Sequence, residues 1–193
     1  MQHTLIALVE DRPGVLNRVA SLFRRRNFNI VSLNVGRTEN EHISRMTIVM
    51  DSERADDARK VEANLYKLVN VIDVQDVTNQ AAVTRDLALV KVQATPEQRA
   101  EIANLASIFR ARIVDIASDS VIVEITGTED KIESLVELLR PMGILEMVRT
   151  GQVAMMRGQA NGVRYAPGAN GETYIPEYQL AEARYSQMPA AAD

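Results

Sequence analysis

A short signature occurs twice in this 193-residue chain, 86 positions apart. Ala20-Ser21-Leu22-Phe23 matches Ala106-Ser107-Ile108-Phe109, and Asn29-Ile30 falls on Asp115-Ile116. Self-similarity at that spacing points to a duplicated unit of roughly 80 to 100 residues, a size that still supports its own core. Hydrophobic residues make up 46% of the chain, enough for two such cores and too many for wholesale disorder.

The hydrophobic pattern alternates between strand and helix. Thr4 to Glu10 is an apolar run of strand type, and Asp11-Arg12-Pro13-Gly14 is a turn that doubles as a helix start, with Pro in the first helical turn. Val15, Leu16, Val19, Ala20, Leu22 and Phe23 then fall on one helical stripe. Arg24-Arg25-Arg26 closes it, and Asn27 suits the left-handed position just beyond. Ile30 to Gly36 alternates, with Val31, Leu33 and Val35 on one side; Met46, Ile48 and Met50 line a third strand. A second stripe (Ala58, Val61, Leu65, Leu68) and a strand from Val71 to Val77 complete the order β-α-β-β-α-β.

Strand, helix, hairpin, helix and strand then recur. They cover Leu87 to Gln93, Pro96 to Phe109, Arg112 to Ala117 with Ser120 to Gly127, Thr128 to Leu139, and Ile144 to Arg149. The fold class is therefore α+β, two tandem ferredoxin-like βαββαβ domains with an extended C-terminal tail. The expected boundaries are 2–79, a linker at 80–86, 87–158, and an extension at 159–193. That extension holds three of the six Pro and four of the five Tyr, with no sustained apolar period.

Composition removes several classes of function. The net charge of −4 and pI near 5.3 argue against a general nucleic-acid binder. Zero Cys excludes thiol nucleophiles and Cys-ligated metals, and two His (His3 and His42) make a His-based metal site or triad improbable. His3 reads as a strand-edge residue and His42 as a turn residue. Glu39, Glu41 and Glu53 read as solvated loop charges, and Met46, Met50, Met155 and Met156 as core or interface filler. Three cations at Arg24 to Arg26 suit a helix C-terminus better than a phosphate patch. No targeting segment, membrane span, Gly-rich phosphate loop or nucleophile elbow reads from the sequence, so the expectation is a soluble, cytoplasmic protein with no metal site.

The chemistry that remains lies in the first turn. Gly14 stands where backbone amides at a helix start carry partial positive charge, a seat for a carboxylate that a missing side chain leaves open. Asp11 offers an acceptor for an ammonium group, and Asn29 a donor and an acceptor. Together these suit the backbone of a free amino acid. On spacing alone, Asp11 and Pro13-Gly14 equally suit a plain helix cap, and Asn29 a plain loop end. In the second half, Arg99-Ala100 replaces Pro13-Gly14 and Asp115 replaces Asn29. There the helix starts earlier, with Thr95 as cap, Pro96 first and Gln98 closing a capping box, so that end is expected to be shut to a ligand.

At Glu10-Asp11-Arg12-Pro13-Gly14-Val15-Leu16, Phe28-Asn29-Ile30 and Ser44-Arg45-Met46-Thr47, the sequence resembles the small regulatory subunits of acetolactate synthase (acetohydroxyacid synthase). The resemblance continues through Arg85-Asp86-Leu87-Ala88-Leu89-Val90-Lys91-Val92 and ends at Gly151 to Gly158. The Asp-x-Pro-Gly turn alone marks amino-acid-sensing ACT domains; the other segments are more specific. Many relatives carry Gly where this chain has Asn27, and most stop about 35 residues earlier.

The resemblance implies a homodimer formed through N-terminal ACT domains. Valine or another branched-chain amino acid would bind at that interface, touching Asp11, Pro13, Gly14, Val15 and Leu16 of one subunit and Asn29 and Ile30 of the other. It further implies a partner, the large catalytic subunit, which carries thiamine diphosphate, Mg and FAD and condenses pyruvate into acetolactate. This chain would hold no cofactor; it would activate that subunit, and the amino acid would reverse the effect. The alternative is a stand-alone ACT sensor controlling another partner. An RNA-binding reading fits less well, since the central strands carry Val, Leu, Met and Thr rather than aromatics. A phosphate-cradling hydrolase fits least.

Overall fold

The computed structural model describes residues 1–52, 54 and 57–158, which form two compact units. Among the described residues the first holds Met1–Ala81 together with residues 156–158, and the second Ala82–Met155.

The first unit runs β1 (Gln2–Glu10), α1 (Val15–Arg25), β2 (Asn29–Arg37), β3 (Ile43–Asp51), α2 (Asp57–Leu65) and β4 (Val71–Asp76). Its sheet has the order β2-β3-β1-β4, antiparallel throughout. Alternation sorts β1 cleanly. Leu5, Ala7 and Val9 join Met46, Ile48 and Met50 of β3 and the stripes of α1 and α2 in one core. Phe23, fully enclosed there, is the largest of these side chains, and truncating it to Ala would cost about 3 to 5 kcal/mol.

Four local expectations change. The helix opens at Val15 with Gly14 as its cap residue, so Pro13 precedes the helix rather than sitting in its first turn. Leu68 lies beyond the end of α2, packed against the core from the following turn. In β2 the register shifts between Ile30 and Ser32, a bulge that turns Val31 out to 48% exposure. Ile30 takes its place on the core side, opposite Met50, with Leu33 opposite Ile48. His3, read as an edge residue, lies instead on the interior strand β1, 4% exposed, with both ring nitrogens lacking a hydrogen-bond partner.

The second unit repeats the plan with β5 (Ala82–Gln93), α3 (Pro96–Ile108), β6 (Arg112–Ile116), β7 (Ser120–Gly127), α4 (Glu129–Leu139) and β8 (Ile144–Arg149). The sheet order is β6-β7-β5-β8, and a further strand, β9 (Val153–Met156), pairs with β5. That short strand was not legible in the periodicity, and it gives the start of β5 a partner. Strand structure therefore begins at Ala82, inside the 80–86 stretch expected to link the domains. Met155 is exposed, so it is not core filler. Val90, Val92, Val123, Ile125, Ile102, Ile132 and Leu135 form the second core. At its margin the buried Asp86 carboxylate accepts from Arg149 Nε and Nη2 at 2.9 and 2.7 Å and from Thr150 Oγ1 at 3.0 Å. Glu53 and the 159–193 extension lie outside the described residues.

Candidate functional site

The mouth of α1 is built by a chain that leaves β1 at Glu10 and turns through four exposed residues. The Asp11 amide donates to His42 O at 2.7 Å, and the Arg12 amide to Glu10 O at 3.0 Å. Gly14 then adopts φ 86° and ψ −9°, left-handed backbone that a side chain disfavours. A Cβ built there would meet nothing within 4 Å, so the glycine faces open space and is required by its φ rather than by crowding.

No side chain accepts from the first turn of α1, and that turn contains no acidic residue. Its end of the helix dipole is therefore left without a side-chain counter-charge. The helices of the second unit both carry acids at this end, and α3 also has a side-chain cap, which α4 lacks. In α3 the Thr95 side chain accepts from the Gln98 amide, Gln98 Oε1 accepts from the Thr95 amide at 3.0 Å, and Pro96 opens the helix, which is the capping box read from the sequence. Glu97 adds an acidic group there, and α4 begins with Glu129 and Asp130. At the α1 mouth the Val15 amide donates to Arg12 O at 3.3 Å, and no side chain caps the rest of the first turn.

The expected site residues divide into two groups. Asp11, Pro13, Gly14, Val15 and Leu16 are contiguous at the mouth. Val15 is buried in the core, so only its backbone faces the turn, whereas Leu16 is 45% exposed and presents an apolar surface beside Gly14. Asp11 is not a bare acceptor: its Oδ2 lies 3.2 Å from Arg37 Nε, at the end of β2. Asn29 and Ile30 lie elsewhere. Asn29 is opposite Asp51, which is also opposite Gln2, whereas Arg37 pairs with Ser44 beside Val9. Eight residues of strand at about 3.3 Å each separate the two ends of β2 by roughly 26 Å. Within one chain, Asn29 therefore sits at the far end of the sheet from the mouth that Gly14 opens.

Sequence reading missed Arg37 and also a polar chain that starts from buried Glu10 and runs out to the surface. Glu10 is only 5% exposed, and its carboxylate accepts from Asn70 Nδ2 at 2.6 Å, with Arg12 Nε 3.4 Å away. Asn70 Oδ1 in turn accepts from Arg18 Nη1 on α1 at 2.8 Å. Glu10 and Arg12 share the segment that opens α1, but Arg18 and Asn70 lie outside it, and only the fold brings positions 10, 18 and 70 together. Among the described residues no group of three or more acidic or His side chains could hold a metal ion, and no helix is long and apolar enough to cross a membrane.

Comparisons with known proteins agree over both units. A family model described as an AHAS small subunit-like ACT domain matches residues 5–73, and one described as the small subunit of acetolactate synthase matches residues 85–158. A probable acetolactate synthase small subunit of Archaeoglobus fulgidus is 52% identical over 158 residues, covering 82% of this chain and 98% of that one. The acetolactate synthase small subunit of Bacillus subtilis is 44% identical over 158 residues, with 82% and 92% covered. The crystal structure of the small subunit from Thermotoga maritima superposes with a TM-score of 0.77 at 38% identity, covering 83% of this chain and 99% of that one. Two tandem ACT-type βαββαβ units with these relatives place the chain in the acetolactate synthase small subunit family.

Proposed function

We propose that this chain is the non-catalytic regulatory subunit that activates the large, thiamine-diphosphate-dependent catalytic subunit and makes it sensitive to valine or another branched-chain amino acid. The condensation of pyruvate, and the thiamine diphosphate, Mg and FAD, belong to that partner. The observation that carries the reading is the bare mouth of α1: a glycine at φ 86°, no side-chain cap, and no acid in the first turn. A zwitterion fits these features by its ends. Its carboxylate meets the backbone amides, and its branched side chain lies toward exposed Leu16.

The reading requires two copies. Among the described residues β2 is an edge strand, the position at which a strand of another copy can add to the sheet. A two-fold axis perpendicular to the sheet at that edge sets the β2 strands of two copies antiparallel, which carries Asn29 of one copy to the Arg37 end of the other. Asn29 and Ile30 then close over the partner's Gly14 turn, as they cannot within one chain. Bound there, the amino acid favours one orientation of the two ACT units, and the catalytic subunit responds to that shift.

Calorimetric titration of the purified chain with valine, leucine, isoleucine and serine tests this. Saturable binding of a branched-chain amino acid at one site per chain is expected, with serine weaker. Absence of binding by all three branched amino acids would sink the sensor reading. Failure to co-purify with the large subunit while still binding the amino acid would favour a stand-alone sensor.

A further inference from the structure

The polar chain from buried Glu10 through half-buried Asn70 to exposed Arg18 has a geometry that a loop brace alone does not need. β4 carries one extra residue where it pairs with β1: Leu8 is opposite Asp73, yet Val9 is opposite Val71. This bulge at Ile72 advances the strand by one position and sets Asn70, rather than Val71, against Glu10, whose amide donates to Asn70 O at 2.9 Å. The Asn70 side chain then faces both ways. Its Nδ2 donates to the buried Glu10 carboxylate at 2.6 Å, and its Oδ1 accepts from Arg18 Nη1 at 2.8 Å. Arg18 lies one turn into α1, and its amide donates to Gly14 O at 3.1 Å.

We infer that Asn70 is a positioning residue for the effector site: its amide bridge between Glu10 on β1 and Arg18 on α1 fixes where the bare amides of the α1 mouth point. The inference rests on the sensor reading above and adds to it the residue that pre-organises the site. Polarity makes asparagine specific there. A carboxylate on one side and a guanidinium on the other call for a group that donates at one end and accepts at the other, which a carboxylate cannot do and an amide can. Removing the bridge frees the angle between the strand and the helix start, and a ligand must then order the turn as it binds.

The test uses the full chain and valine, leucine or isoleucine, whichever the wild type binds most tightly, by calorimetry well below the unfolding midpoint. Asn70→Asp sets a second carboxylate against Glu10 and is expected to weaken binding about tenfold or more, the size of effect that lost pre-organisation produces. Glu10→Gln combined with Asn70→Asp reverses the polarity of the bond, since the Gln amide donates to the new carboxylate. That double variant is expected to recover affinity to within about threefold of wild type. Arg18→Met, at an exposed position, removes the helix-side arm and is expected to weaken binding severalfold, and it decides the matter alone should Asn70→Asp fail to fold.

A merely structural bridge would lower the unfolding midpoint and leave the dissociation constant of the folded protein unchanged. Wild-type affinity in Asn70→Asp and Arg18→Met, or an unrecovered loss in the double variant, overturns the inference and leaves the sensor reading standing. A wild-type chain that ignores all three branched-chain amino acids overturns both.

Discussion

At Gly14 two demands coincide on one residue: a positive φ and an unfilled space in front of the α1 amides. Gly14→Asp separates them. The new Cβ meets no atom within 4 Å, and the left-handed backbone costs about 1 kcal/mol. What it adds is a carboxylate tethered beside the amides that the effector's own carboxylate would use. Inhibition by valine in the reconstituted complex should therefore be lost while activation of the catalytic subunit is retained, and the unfolding midpoint should fall by a few degrees. A variant inhibited at the wild-type valine concentration would move the site elsewhere. Gly14 was legible in the sequence because Pro-Gly ahead of an apolar stripe is a local signal, as was Asn27, which adopts φ 58° just past α1. Asp11 was legible only as a charge. That Arg37 meets it depends on β2 returning alongside β3, and no spacing rule encodes that contact.

Elements were legible where one period or one cap decides them, and less so where the sheet overrides the period. The capping box of α3 uses Thr95, Pro96 and Gln98 as their order implies. The strict alternation read for Val31, Leu33 and Val35 fails at one residue, because the bulge after Ile30 is set by pairing with β3 and not by β2 itself. The repeat is likewise more faithful in topology than in depth: Leu22 is buried, whereas its counterpart Ile108 is 73% exposed. The link from α2 to β4 supplies a pH prediction. Tyr66, just past α2, has its hydroxyl 2.9 Å from Asp73 Oδ1 and 3.1 Å from Val74 O, and accepts from the Val74 amide at 3.0 Å. Burial, with the Asp73 carboxylate adding to it, pushes the phenol up to about 12 from its ordinary 10. A folded-state value above the unfolded one means the folded chain holds the proton more tightly. The contribution is whole below pH 10 and drains away as pH rises through 12. Tyr66→Phe should cost about 1 kcal/mol at neutral pH, because the Val74 amide loses its acceptor, and should flatten the alkaline decline relative to wild type in denaturant titrations. An unchanged difference between the two proteins from pH 9 to 12 would remove the phenol as its cause.

For the molecule as a whole, the decisive consequence lies in the two ends of β2. Because Asn29 stands beside Asp51 and the Gly14 turn lies past the opposite end of the sheet, one chain carries two half-sites and no whole one under the proposed reading. In a two-fold dimer each site would combine one copy's turn with the other copy's Asn29. Gly14→Asp damages the turn of its own chain, and Asn29→Ala the closing half of its own chain, so either homodimer is expected to lose both sites. A mixed dimer of the two variants behaves differently. One of its sites unites both lesions, whereas the other joins the intact turn of the Asn29→Ala chain to the intact Asn29 of the Gly14→Asp chain. Co-refolding the variants in equal amounts yields about half mixed dimers if pairing is random, each with one working site of two. Valine binding should therefore reappear at about a quarter of the wild-type stoichiometry, with near wild-type affinity, from two proteins that separately bind none. Calorimetry on the mixture reads that directly. No recovery, with mixed dimers verified by differential tagging, would mean that a single chain supplies the whole site, and the antiparallel β2 edge would then have no part in sensing.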